Sequence, residues 1–72
     1  MKYLKLEIRA TAWDMADDEM KPCGKPTQVS TSIAKNLYDD VKMDAFFQTL
    51  ENAVDKMLGV IDENPAKFWG DL

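Results

Sequence analysis

Between Met43 and Ile61, six apolar side chains (Met43, Phe47, Leu50, Val54, Met57 and Ile61) recur at spacings of 4, 3, 4, 3 and 4. That rhythm follows the turn of an α-helix, so all six fall on one stripe. Phe46, Ala53 and Val60 widen the stripe on one flank. The result is the broad apolar face of a helix that packs on a core, and not the narrow seam of a coiled coil. Carried toward the N-terminus, the same register would put Asp40 in the stripe and push Leu37 and Val41 off it. The helix is therefore expected to begin near Asp39 or Asp40, with one of them as N-cap and Asp44 near the positive end of the dipole. Asn64-Pro65 should end it, because the residue before a proline is driven out of the helical region. The expected helix spans 40–63. Phe47, Leu50, Val54 and Met57 are its expected core centre, where Leu50→Ala should cost about 2–5 kcal/mol.

A helix with one apolar face needs a surface to bury it against. From Lys2 to Trp13 the chain alternates, with Leu4, Leu6, Ile8, Ala10 and Ala12 on one side and Lys5, Glu7, Arg9 and Thr11 on the other. Period two is the pattern of a half-buried strand, expected over 2–13. Asp14 to Met20 breaks the alternation, and Lys21-Pro22-Cys23-Gly24-Lys25-Pro26 adds two prolines and a glycine. Such residues do not sit in a central strand, so 14–26 is expected to be a loop. Val29, Thr31 and Ile33 restore the alternation and predict a second strand over 27–33. The competing arrangement takes Ser30 or Ser32 as the N-cap of a short helical turn through Ile33, Leu37 and Val41. Residues 64–72 form a tail whose Phe68 and Trp69 are too apolar to be left wholly in water. No internal repeat or low-complexity tract interrupts this order. The expected fold class is α+β: a two-stranded antiparallel sheet packed against one long C-terminal amphipathic helix, in a single small domain over 1–72.

A domain of 72 residues seldom draws more than about 3–5 kcal/mol from its own core and usually needs a further staple. A disulfide framework needs several cysteines and a structural zinc site needs paired Cys or His, whereas the chain has one Cys and no His. The expected staple is homodimerisation, by pairing edge strands into a four-stranded sheet or by packing helix on helix.

The absence of His also removes the commonest acid–base residue. Cys23 lies between Lys21 and Lys25, which would favour a thiolate, but no second Cys completes a redox or nucleophilic mechanism. Asp14, Asp17, Asp18 and Glu19 cluster four carboxylates, yet they lack the alternating acids, central glycine and terminal Glu of a calcium loop. The three glycines are too dispersed for a phosphate-cradling loop. No catalytic residue, metal ligand or cofactor is expected, and the chain reads as a non-enzyme. A weak cation site at Asp14 to Glu19 or a redox role for Cys23 is the most distant alternative. No stretch approaches the roughly 18 apolar residues of a membrane span. Lys2, Lys5 and Glu7 interrupt the segment where a signal peptide would be apolar. The expectation is a cytoplasmic protein away from membranes.

The formal net charge of −4 argues against direct nucleic-acid binding, which needs a basic stripe. The charge is also unevenly placed. Between Asp40 and Glu63 six acids face two bases, and the remainder has seven of each sign, so the whole imbalance lies on the helix. Asp44, Glu51, Asp55 and Asp62 repeat at spacings of 7, 4 and 7, which aligns them along one ridge. Neighbours on it are roughly 6–10 Å apart along the axis, comparable to the roughly 7 Å between phosphates of a nucleic-acid strand. A basic groove could accept such a ridge in place of DNA or RNA; the plainer account is a solvated polar face. Tyr3, Trp13 and Trp69 offer a second candidate surface, since aromatics of this kind anchor interfaces. Phe68 and Trp69 could equally fold back to complete the core.

These features predict a small protein-binding protein that occludes a basic surface of another protein through Asp44, Glu51, Asp55 and Asp62, with Tyr3, Trp13 and Trp69 as further contacts. In size and charge alone, with no shared motif, the chain is similar to short acidic proteins of phages and mobile elements that inhibit a host protein. The alternative is a structural or accessory subunit of a larger assembly, its acidic helix face serving only as solvated surface.

Overall fold

A computed structural model of the chain describes residues 1–70. Two antiparallel strands, β1 (Tyr3–Ala16) and β2 (Glu19–Ala34), form a hairpin, followed by α1 (Lys35–Glu63) and the short α2 (Pro65–Trp69). The architecture is α+β, with the long helix packed on one face of the two-stranded sheet. The expected tail is thus a helical turn as far as Trp69; Asp71 and Leu72 lie outside the described residues.

The hairpin is longer than its sequence suggests, and the expected loop over 14–26 is instead its distal half. Ala16 pairs with Glu19 across a two-residue turn, Asp17-Asp18, and both turn residues have positive φ (54° and 65°). Two successive left-handed residues make the tight turn whose twist matches that of flanking strands, and Asp tolerates that region better than most side chains. The prolines fit because a two-stranded sheet has only edges, where a missing N–H can point away from the partner. Pro22 stands opposite Trp13. Pro26 lies in an irregularity where Ala10 pairs with Thr27 and Ala12 already with Cys23, so Gly24, Lys25 and Pro26 together oppose Thr11. Cys23, expected in a loop, is therefore a half-buried strand residue.

That bulge also seats α2. Asn64 caps the turn by accepting a hydrogen bond from the Lys67 N–H at 3.3 Å, with Pro65 at the first helical position. The turn brings Phe68 back into the core, where it is buried, while Trp69 stacks edge-on against it at 5.0 Å and stays exposed. Gly24 has φ +63°, and a Cβ there would lie 2.0 Å from the Phe68 carbonyl oxygen. Only glycine meets both the left-handed backbone and the close approach.

The start of the helix also departs from expectation. It begins at Lys35, whose N–H donates to the Lys2 carbonyl at 2.9 Å, and no side chain caps it. Val41 and Lys42 leave helical geometry, so α1 is two segments meeting at a kink. The break falls where the apolar register slips by sequence, between Val41 and the stripe that begins at Met43. Asp39 is not a cap; it pairs with Lys35 one turn earlier. The end at Glu63, just before Asn64-Pro65, is as expected.

The largest correction concerns which face of α1 meets the sheet. Its buried residues are Ala45, Thr49, Ala53 and Met57, spaced by four, and Ala53 is 0% exposed. Of the expected core centre only Met57 is buried; Leu50 is half-buried, and Phe47 and Val54 are exposed at 55% and 41%. Met43, at the head of the stripe, is 67% exposed. The reason is steric. The inner face of the sheet already carries Leu4, Leu6, Ile8 and Ile33, and the helix reaches it most closely through its smallest side chains. Thr49 tolerates burial because its hydroxyl donates to the Ala45 carbonyl at 2.7 Å, and Thr31 of β2 donates to the Thr49 carbonyl at 2.9 Å. Two strands, moreover, span about 5 Å between axes, so they cover one side of a helix about 10 Å across and leave its flank open.

Candidate functional site

At about 100° of rotation per residue, Asp44, Glu51, Asp55 and Asp62 project roughly opposite the buried row of Ala45, Thr49, Ala53 and Met57. All four carboxylates are exposed, and the ridge runs about 27 Å along the helix. Among the described residues none of the four belongs to an ion pair; those found are Lys5 with Glu7, Lys21 with Glu19 and Lys35 with Asp39. Lys56, one of the three bases of α1, turns away and donates to the Ser30 carbonyl of β2 at 3.0 Å. The ridge is thereby left with little local compensation.

Between ridge and sheet the helix has two flanks of opposite character. One is polar: Gln48 donates to Asn52 at 3.1 Å, and both line a shallow groove with Ser32 and Ile33 of β2. Together with the Lys56 contact, this places the polar flank over β2. The other flank, about a quarter turn from the ridge, carries Met43, Phe47, Leu50, Val54 and Ile61 and lies on the β1 side. Phe46 and Phe47 meet edge-on with centroids 6.3 Å apart. Below this flank Leu4, Leu6 and Ile8 of β1 are only half-buried. Periodicity identified every one of these residues as apolar, yet assigned them to the core and so missed them as surface.

The aromatic candidates do not form one surface. Tyr3, at the start of β1, and Trp13, in its distal part, share the outer face ten residues and roughly 33 Å apart, and both are exposed. Trp69 belongs to α2, beside the bulge. Trp13, Met15 and Met20 instead make the distal arm of the hairpin apolar, with Met15 opposite Met20.

The acidic residues of the hairpin tip are engaged in the hairpin itself. Asp14 pairs in register with Lys21, Asp17 and Asp18 form the turn, and Glu19 lies 3.5 Å from Lys21. Among the described residues no three His, Cys, Asp or Glu side chains gather into a metal-binding group, and no helix is long and apolar enough to cross a membrane. No family model, curated protein or solved structure matches the chain significantly.

Proposed function

We propose that this is a non-catalytic binding protein that works as a homodimer and attaches stoichiometrically to a basic surface of another protein through Asp44, Glu51, Asp55 and Asp62. What carries the reading is the coincidence of charge and geometry: the net −4 resides on one element, whose ridge carboxylates are exposed and unpaired among the described residues. Folding requires apolar side chains toward the sheet, but it does not require the opposite face to collect the whole imbalance. A ridge of this kind accelerates encounter with a positive surface and suits one shaped to receive a phosphate backbone. Trp69 and Trp13 would contribute only where the partner reaches the α2 end or the distal arm.

A second reading, an accessory subunit of a larger assembly, draws support from the exposed apolar flank of α1. Reversing Glu51 and Asp55 to Lys separates the two. Under the proposal the natural chain retains a partner from its source lysate at low salt and releases it as salt rises, and the doubly reversed chain retains none. Equal retention by both chains would make the ridge plain solvated surface and favour the accessory reading.

A further inference from the structure

The free edge of β1 and the apolar flank of α1 above it lie on the same side of the molecule, and we propose that both are covered by a second copy of this chain, β1 pairing antiparallel with β1 about a two-fold axis at Leu6. The inference deepens the homodimer in the proposed function and rests on it.

Two measures show that the protomer is more open than a compact chain of its size, in part because the distal hairpin projects from the body. A folded monomer of 8.2 kDa should expose about 4,500 Å². This protomer exposes 5700 Å². The surplus exceeds the roughly 800 Å² that each partner contributes to a standard interface. The radius of gyration, 15.8 Å, is likewise well above the roughly 11 Å expected of a compact chain of this length.

The two sheet edges differ in the way that decides where a copy can add. β2 carries Pro22 and Pro26, the bulge at Gly24 to Pro26, and the Lys56 ammonium on the Ser30 carbonyl, all devices that discourage pairing. β1 has neither proline nor glycine, and from Tyr3 to Ala10 its pairing with β2 is regular.

The order of charges on β1 then selects the register. With the axis at Leu6, Lys5 opposes Glu7 of the copy, Tyr3 opposes Arg9, and on the inner face Leu4 opposes Ile8 and Leu6 opposes itself. Opposite charges and a cation over an aromatic face each other on the outside, and large aliphatics meet on the inside. An axis at Glu7 would set Glu7 against itself and Lys5 against Arg9. An axis at Ile8 would pair Glu7 with Arg9 but set Leu4 against Ala12 and Leu6 against Ala10 on the inner face, giving up the contacts between large aliphatics. Shifts of a single residue would turn the apolar row of one strand against the charged row of the other.

The helices agree with this arrangement. A helix over its own strand pair and nearer β2 than β1 stands one to one and a half strand spacings from the axis, so the two copies of α1 would be about 10–14 Å apart, a gap that large side chains bridge. Their facing flanks are those carrying Phe47, Leu50 and Val54. The polar flanks point outward, and both acidic ridges lie on the same side of the four-stranded sheet, doubling the charge offered to a basic partner.

A cysteine scan of the full chain in a Cys23→Ser background tests the register. Leu6→Cys should oxidise to a covalent dimer, because directly opposed residues have Cα atoms about 4.5–5.5 Å apart, within disulfide reach. Ile8→Cys should not, since the two copies would be separated by roughly 13 Å along the strand. An independent pair of substitutions leaves the inner face untouched: Lys5→Glu should weaken the dimer about tenfold or more, and Lys5→Glu with Glu7→Lys should restore it. Cross-linking at Ile8 but not Leu6, or a dimer that neither cross-links nor responds to the charge swap, overturns this interface while leaving self-association intact. A chain that stays monomeric overturns both.

Discussion

The sheet-facing row of α1 and its apolar flank belong to the same helix and meet opposite fates. Toward the sheet stand Ala45, Thr49, Ala53 and Met57, mostly small and all buried; toward the β1 side stand Met43, Phe47 and Val54, larger and exposed. The difference teaches that burial in so small a domain follows what can approach a sheet closely, and not hydrophobicity alone. A two-stranded sheet offers one narrow surface. The helix spends its small residues there, and its larger apolar residues are left for a surface that a single copy does not provide. The same contrast separates the two strands, since β2 is guarded along its edge by proline, bulge and lysine and β1 is not.

The sharpest way to break the contrast is to truncate the one large side chain on the buried side. Met57→Ala should cost about 2–5 kcal/mol and unfold much of the population, as read by urea denaturation followed by circular dichroism. Ala53→Leu asks whether small size is what the sheet-facing row requires. Because Ala53 is 0% exposed, the added carbons should push α1 off the sheet and cost about 1–3 kcal/mol, whereas a gain in stability would show that the row has room for a larger side chain. The polar flank supplies the smallest effect. A Cβ at Gly59 meets nothing within 4 Å, so Gly59→Ala should stabilise the helix by about 0.5–1 kcal/mol and raise the melting temperature.

Much of this architecture is legible in the sequence. Alternation from Leu4 to Ala12 identifies the first strand and its inner face, and the stripe from Met43 to Ile61 identifies the main helix and its end at Asn64-Pro65. The register slip at Leu37 and Val41 points by sequence to a helix start near Asp39 or Asp40, whereas the helix runs from Lys35 and the slip falls at its kink. The distal hairpin is not legible, because Pro22, Gly24 and Pro26 are breakers in a central strand and harmless at the edges of a two-stranded sheet, and Asp17-Asp18 is a less familiar turn pair than Asn-Gly. The face that meets the sheet is not legible either. A stripe of six apolar residues marks what avoids water, but whether the sheet or a partner covers it depends on clearances that periodicity does not carry. Of the candidate site, the acidic ridge follows directly from spacing, while Tyr3 and Trp13 share a strand face without being neighbours.

If a second copy covers the flank of Phe47 and Val54, changing those two residues should separate the copies. Sedimentation equilibrium of the natural chain beside its Phe47→Lys/Val54→Lys variant, from nanomolar to high micromolar concentration, tests it most directly. The natural chain should have twice the 8.2 kDa protomer mass and a melting temperature that rises with concentration. The variant should be a monomer with unchanged helical and strand content, since both positions are exposed in the protomer. A natural chain that sediments as a monomer throughout, with a melting temperature independent of concentration and equal to that of the variant, would contradict it.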